Sequence, residues 1–239
     1  MKSRILFFIL ICIFSIHPTS KGQNSHWNLV IDEGYHTFLC SYLLERDSTY
    51  YLFGSTVDTI PTYEQGVSVS KISSKSAKRL SSVYYGEKDV LFTICQVNSL
   101  IHENNKIIIP LSKGNSGASV HLFSYDLDQS IYEKLKVIPS PESLSNFVFL
   151  SDFFSQGEFA YILCGIQTKD TNEPMILKIN KVNWDYKYIR WKEKKDTIIQ
   201  QKMAFHNGGI IVYATYHVAG FLNYGLLITF MDLDGNIIW

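Results

Sequence analysis

A chain of 239 residues with 46% hydrophobic and 18% charged residues has ample material for a packed core, which excludes intrinsic disorder. Its 22 basic and 22 acidic residues balance, so no electrostatic footprint for nucleic acid exists. Fifteen Tyr and fifteen Phe, with many Ile and Val and no long run at helical spacing, favour strands throughout.

The first 22 residues read as a leader. Lys2 and Arg4 precede an apolar run from Ile5 to Ile16, and Ser20 and Gly22 supply the small residues of a cut before Gln23. The run is shorter than the ~20 residues a membrane span needs. Removing it takes Lys2, Arg4 and Lys21 and no acid, which leaves the mature chain three charges negative. The expectation is a secreted or cell-surface protein with no membrane span. Beyond the leader stand Cys40, Cys95 and Cys164, each inside an apolar stretch; an odd number excludes a disulfide scaffold, and buried free thiols are expected.

From Trp27 onward one figure recurs: an apolar run, a polar loop, and a second apolar run closing on a Lys or Asp turn. It appears as YYLFGS with VSVSKIS, KIIIPLS with SVHLFSYDLD, AYILCGI with PMILK, and GIIVYAT with LLITFMDLD. Lys71 to Lys178 is 107 residues over two copies and Asp126 to Asp232 is 106, a period near 53. Four short strands per copy predict an all-β propeller with four recognisable blades, either a closed ring or the opening part of a larger one. The repeats fall at about 36–90, 91–146, 147–197 and 198–239 within a domain of residues 23–239. Residues 27–32, beginning at Trp27, are a candidate closing strand.

Asp234-Gly235 supplies the turn between the last two strands of the fourth repeat, and Asp128-Gln129 and Asn183-Trp184 stand at the matching corners of the second and third. The loops between second and third strands are polar and vary in length, as expected of a presented surface. The elements Tyr51–Gly54, Tyr161–Gly165, Met175–Lys178 and Asp232–Trp239 together resemble the secreted β-propeller repeats of Bacteroidota. That resemblance implies an extracellular or surface protein.

No motif carries a reaction by itself. Asp232-Leu-Asp234-Gly-Asn236 has its glycine too early for a calcium loop and reads as a hairpin. Gly114-Asn-Ser116-Gly117 lies between strands and is no nucleophile elbow. His26, His36, His102, His121, His206 and His217 show no metal-ligand spacing, so no metal or cofactor is expected. Glycoside cleavage needs two carboxylates about 5 to 9.5 Å apart, and Asp58, Glu64, Asp152 and Asp170 stand where a propeller axis could gather them. Tyr216, His217, Phe221 and Tyr224 form the most aromatic of the loops and are the candidate binding residues.

The sequence thus leads to a secreted, non-catalytic binding or scaffold module that recognises an extracellular protein or carbohydrate through its inter-strand loops. The alternative is a propeller enzyme acting on polysaccharide, marked by at least two carboxylates gathered at one mouth of the axis.

Overall fold

The structure, a computed structural model, describes residues 37–58, 64–87, 90–94, 100–114, 119–141, 147–167, 172–190, 197–217 and 224–239. The expected leader and the candidate closing strand lie outside them, as do Cys95, Asp170 and Phe221.

Alternating side chains build sixteen strands among the described residues, in four successive antiparallel sheets. The first blade is β1 (Thr37–Arg46), β2 (Thr49–Asp58), β3 (Glu64–Ser73) and β4 (Arg79–Tyr85). In the second, β5 (Leu91–Ile94) and β6 (Ile101–Glu103) both pair with β7 (Lys106–Gly114), followed by β8 (Ser119–Asp126) and β9 (Ile131–Pro139). The third holds β10 (Phe147–Gln156), β11 (Phe159–Gln167), β12 (Asn172–Asn180) and β13 (Tyr186–Arg190). The fourth holds β14 (Thr197–His206), β15 (Gly209–His217) and β16 (Tyr224–Asp232), with a bridge from Met231 to Ile237 opening a further strand. The chain is an all-β propeller, in the order the repeats predict.

Successive blades meet through three apolar cores. Tyr51, Phe53, Val67 and Val69 of the first blade meet Phe92, Ile107, Phe123 and Tyr125 of the second in an aromatic core. Ile108, Val120, Leu122 and Ile138 meet Phe153, Ile162, Met175 and Leu177 between the second and third. Tyr161, Leu163 and Ile176 meet Met203, Ile210, Val212 and Met231 between the third and fourth. Burying both faces of middle blades explains why their second and third strands read as near-continuous apolar runs.

The corner between third and fourth strands is the most regular part of the repeat. Asp126 Oδ1 accepts from Asp128 N (2.9 Å) and Gln129 N (2.8 Å), and Asn180 Oδ1 accepts from Val182 N (2.8 Å). Asp232 Oδ1 accepts from Asp234 N and Asn236 N, both 2.9 Å, and Ser73 Oγ accepts from Ser76 N (3.2 Å). These four residues stand 53, 54 and 52 apart. Ala77, Ser130 and Trp184, each four residues further on, have φ of 53°, 58° and 61°. The corner is therefore organised by its first residue, a side-chain acceptor that mimics a backbone turn, and not by Asp128-Gln129 or Asn183-Trp184.

Two lysines brace neighbouring blades. Lys71 Nζ in β3 donates to the Leu127 carbonyl of the second blade (2.9 Å) and lies 5.1 Å from the Tyr51 ring centre. Two blades later, Lys178 Nζ in β12 donates to the Leu233 carbonyl (2.9 Å) and to Asp234 Oδ1 (3.1 Å), 4.6 Å from the Phe159 ring. Replacing Lys178 by Met is expected to lower stability by about 1–3 kcal/mol, because a carbonyl loses its charged donor and a cation–π contact goes. A urea midpoint unchanged from wild type would show that this brace carries no stability.

The cysteines divide. Cys164 is a buried free thiol, pushed up to about 12 by desolvation. Cys40 is also free but exposed, against expectation, because it sits at the bulge between Cys40 and Tyr42 where β1 leaves regular pairing with β2.

Candidate functional site

The two ends of the blades differ in construction. At one end lie the corners just described and the hairpins joining first and second strands, whose tight turns include left-handed Asp47, Ser48, Asn104, Gly157, Asn207 and Gly208. At the other end emerge the longer connections between second and third strands and the links from blade to blade. The chemistry gathers at this second end.

In the first blade, Asp58 and Glu64 are directly paired across the open end of β2 and β3. Residues so placed have Cβ atoms about 4.5–5.5 Å apart. Glu87 lies on the link to the second blade, two residues beyond Tyr85, which pairs with Val67. Gln65 itself makes the single parallel rung to Leu91 and donates from Nε2 to Thr93 Oγ1 (3.3 Å).

Glu87 is held by three groups. Tyr85 Oη donates to its Oε1 (2.8 Å), Lys134 Nζ lies 3.4 Å from the same oxygen, and Lys113 Nζ lies 3.9 Å from Oε2. The tyrosine hydrogen bond first, and then the two lysines, hold the Glu87 carboxyl below the usual carboxylate range against the opposing cost of burial. Glu87 is thus ionised at neutral pH. Burial and the Glu87 charge push the Tyr85 phenol up, so it remains a donor.

Behind this network, Ser119 Oγ and His121 Nε2 share a hydrogen bond of 2.9 Å, and His121 packs edge-on to Phe92 at 5.4 Å. The ring is buried and its Nδ1 has no hydrogen-bond partner. Desolvation, reinforced by Lys134 and Lys113, lowers its pKa to about 4, so it is neutral over most of the pH range. An unfolded histidine titrates near 6.5. The stability due to neutral His121 is therefore full above about 6.5 and is lost as pH falls toward 4. Comparing urea midpoints at pH 7 and pH 4, wild type is expected to lose roughly 2–3 kcal/mol more than His121→Phe; equal losses would contradict this sign.

The other sequence candidates divide. Asp152 is drawn away from any mouth. A bulge between Leu150 and Asp152 re-aims it, and its oxygens accept from Phe153 N (2.9 Å) and, in the next blade, Met203 N (3.0 Å). It ties β10 to β14. Tyr216 pairs with Gly225 and His217 with Tyr224 at the open end of β15 and β16, so these three candidates stand at the same end as Asp58 and Glu64 in their own blade. Glu87, Lys113, Lys134 and the Ser119–His121 pair were not foreseen. A cleft of about 350 Å³ between Glu103 of β6 and Phe154 of β10 lies at the tight-turn end, where Lys181 engages both Glu103 and Ser155.

No family model matches the sequence, and no curated protein matches it. The fold does have solved neighbours. A GH32 beta-fructofuranosidase from Bombyx mori, in complex with sucrose, superposes with a TM-score of 0.53 at 12% identity over 84% of this chain. A sucrose-6-phosphate hydrolase from Lactobacillus gasseri gives 0.52 at 12% over 85%. A levansucrase from B. megaterium gives 0.50 at 9% over 84% of this chain and 67% of its own. This chain spans about half the length of the first two, 50% and 49%. At such identities the likeness establishes the propeller fold.

The comparison also corrects one expectation. The non-catalytic binding or scaffold module does not stand: these propellers are enzymes named for sugar substrates.

Proposed function

We propose that the chain forms part of an exported propeller enzyme that cleaves glycosidic bonds. What supports this reading is a fold shared with propellers named for sugar substrates, together with the direct pairing of Asp58 with Glu64 at the open end of β2 and β3. Glycoside cleavage uses one carboxylate that stays ionised and one carboxylic acid that protonates the departing oxygen. Glu87, held ionised by Tyr85 and two lysines, suits the first role as nucleophile or base. Asp58 and Glu64, paired across the open end of β2 and β3, are the candidates for the second. Fold neighbours that act on sucrose or its phosphate support a small fructoside as the first substrate to try. Tyr216, His217 and Tyr224, whose backbones pair at the same end of the fourth blade, are the aromatic candidates for a sugar contact.

The test is release of reducing sugar from sucrose, levan and a panel of chromogenic glycosides by the purified chain. Turnover of at least one, abolished in the Asp58→Asn/Glu64→Gln double variant, is expected. No turnover of any substrate, or turnover indifferent to that double change, would overturn the reading.

A further inference from the structure

The residue after each corner acceptor sits at the tight-turn end of the junction with the preceding blade. In the second blade it is Leu127, whose N–H donates to the Asn105 carbonyl (3.0 Å) and whose side chain is buried in the core shared with the first blade. In the fourth blade it is Leu233, packed against the core shared with the third. In the third blade the same position is Lys181, fixed by the equivalent backbone bond to the Glu158 carbonyl (2.8 Å). The junction between second and third blades thus has a lysine where its two counterparts among the described residues have a leucine. At this junction lies the open cleft of about 350 Å³.

The cleft sets an apolar floor against a polar wall. Leu100, Ile101 and Phe153 are buried apolar residues, and Phe154 is held by stacking on Tyr161 at 5.0 Å. Against them stand Glu103 and Ser155, one from each blade, which Lys181 pins together. Its Nζ donates to Glu103 Oε1 and to Ser155 Oγ, the latter at 2.8 Å. The lysine side chain is 14% exposed and that of Glu103 38%, so the carboxylate is the group an incoming molecule reaches.

We infer that this cleft is an accessory carbohydrate site that takes a neutral mono- or disaccharide, at the opposite end of the blades from the Asp58–Glu64 pair. The occupant follows from charge and shape. A cation is repelled by the Lys181 ammonium and an anion by the Glu103 carboxylate, so the pair together favours a ligand of no net charge. A wholly apolar molecule would cover the carboxylate with nothing to donate to it, at a cost in desolvation. A sugar meets both demands: its hydroxyls donate to Glu103, and its C–H face lies on the apolar floor and Phe154. The volume stands at the lower end of small-molecule sites, about 300–1,000 Å³, which suits a ligand of that size. With Glu103 and Ser155 already pinned by Lys181, little ordering is left for binding to bear.

Amide chemical-shift mapping of the isotope-labelled chain with free fructose, glucose, galactose and mannose tests this, since none has a glycosidic bond to cleave. At least one sugar is expected to shift the amides of Ile101, His102, Glu103, Phe153, Phe154 and Ser155. Lys181→Leu puts into this junction the residue its counterparts carry and removes the pin, and is expected to raise the dissociation constant by at least ~10-fold. Glu103→Gln, at a solvent-accessible side chain and so mild toward the fold, is expected to weaken binding as well. Circular dichroism of each variant confirms folding. No shift with any of these sugars, or shifts confined to the end that holds Asp58 and Glu64, overturns the inference. Binding unchanged in either folded variant overturns it equally. Glycoside cleavage stands or falls separately, because Lys181→Leu is expected to keep whatever turnover the Asp58→Asn/Glu64→Gln double variant abolishes.

Discussion

Glu87→Gln is expected to lower kcat/KM for glycoside cleavage by roughly 10²–10⁴-fold while leaving the fold intact. The substitution keeps the shape of the side chain and an oxygen to accept from Tyr85 Oη, now 2.8 Å away, but removes the charge. Only the charge can attack a sugar carbon, activate water or stabilise an oxocarbenium ion, so binding should survive and turnover should not. The pH profile separates this role from a structural one. Because Tyr85 and the lysines lower the Glu87 pKa, the ionised form persists as pH falls, and activity is lost only below the ordinary carboxylate range. Tyr85→Phe removes the largest of those causes and should move the acid limb of the profile upward. An unmoved acid limb, or a Glu87→Gln enzyme near wild-type rate, would exclude Glu87 from the chemistry.

Asp152→Ala is expected to destabilise the chain by about 2–4 kcal/mol, the largest effect of any change outside the apolar cores. The carboxylate is buried, and its removal leaves the Met203 N–H of β14 without the acceptor that a neighbouring strand does not supply on that side. Asp152→Asn retains one acceptor oxygen and should cost less than half as much. Hydrogen exchange gives an independent reading: protection at Met203 should fall in both variants. A urea midpoint for Asp152→Ala within error of wild type would show that the carboxylate is not what joins third and fourth blades.

The contrast between these two acids marks how far residues alone could be read. Strand number, order and the period of 53 were legible because alternating Tyr, Phe, Ile and Val record which faces are buried. The recurrence of Lys71 and Lys178 also showed, though its meaning as a brace required the carbonyls of Leu127 and Leu233 in the adjoining blades. The corners fall where Asp128-Gln129, Asn183-Trp184 and Asp234-Gly235 stand, but the residue that organises each was not read. Turn chemistry was sought where φ turns positive, yet Ala77, Ser130 and Trp184 have no special aptitude for that region. The information lay upstream, in the acceptor side chains of Ser73, Asp126, Asn180 and Asp232.

The site was half legible for a related reason. Asp58 and Glu64 could be placed because a hairpin brings them together locally. Glu87 could not, since it belongs to a connection without periodicity and meets Lys113 and Lys134 only after two blades pack. Asp152 looked identical in kind to Asp58 from sequence, but it lies within β10 at a bulge and is spent as an acceptor for backbone N–H groups.

The four corner acceptors have a consequence for how such a chain can change. Three of them accept from two backbone donors and Ser73 from one, all within four residues, so an inserted or deleted residue there would strip a blade of its pivot. The connections of the opposite rim differ in length along the sequence. Lengthening is therefore tolerated on one side only, and new specificities can accumulate at the rim that holds Glu87 while the barrel of sheets beneath keeps its dimensions.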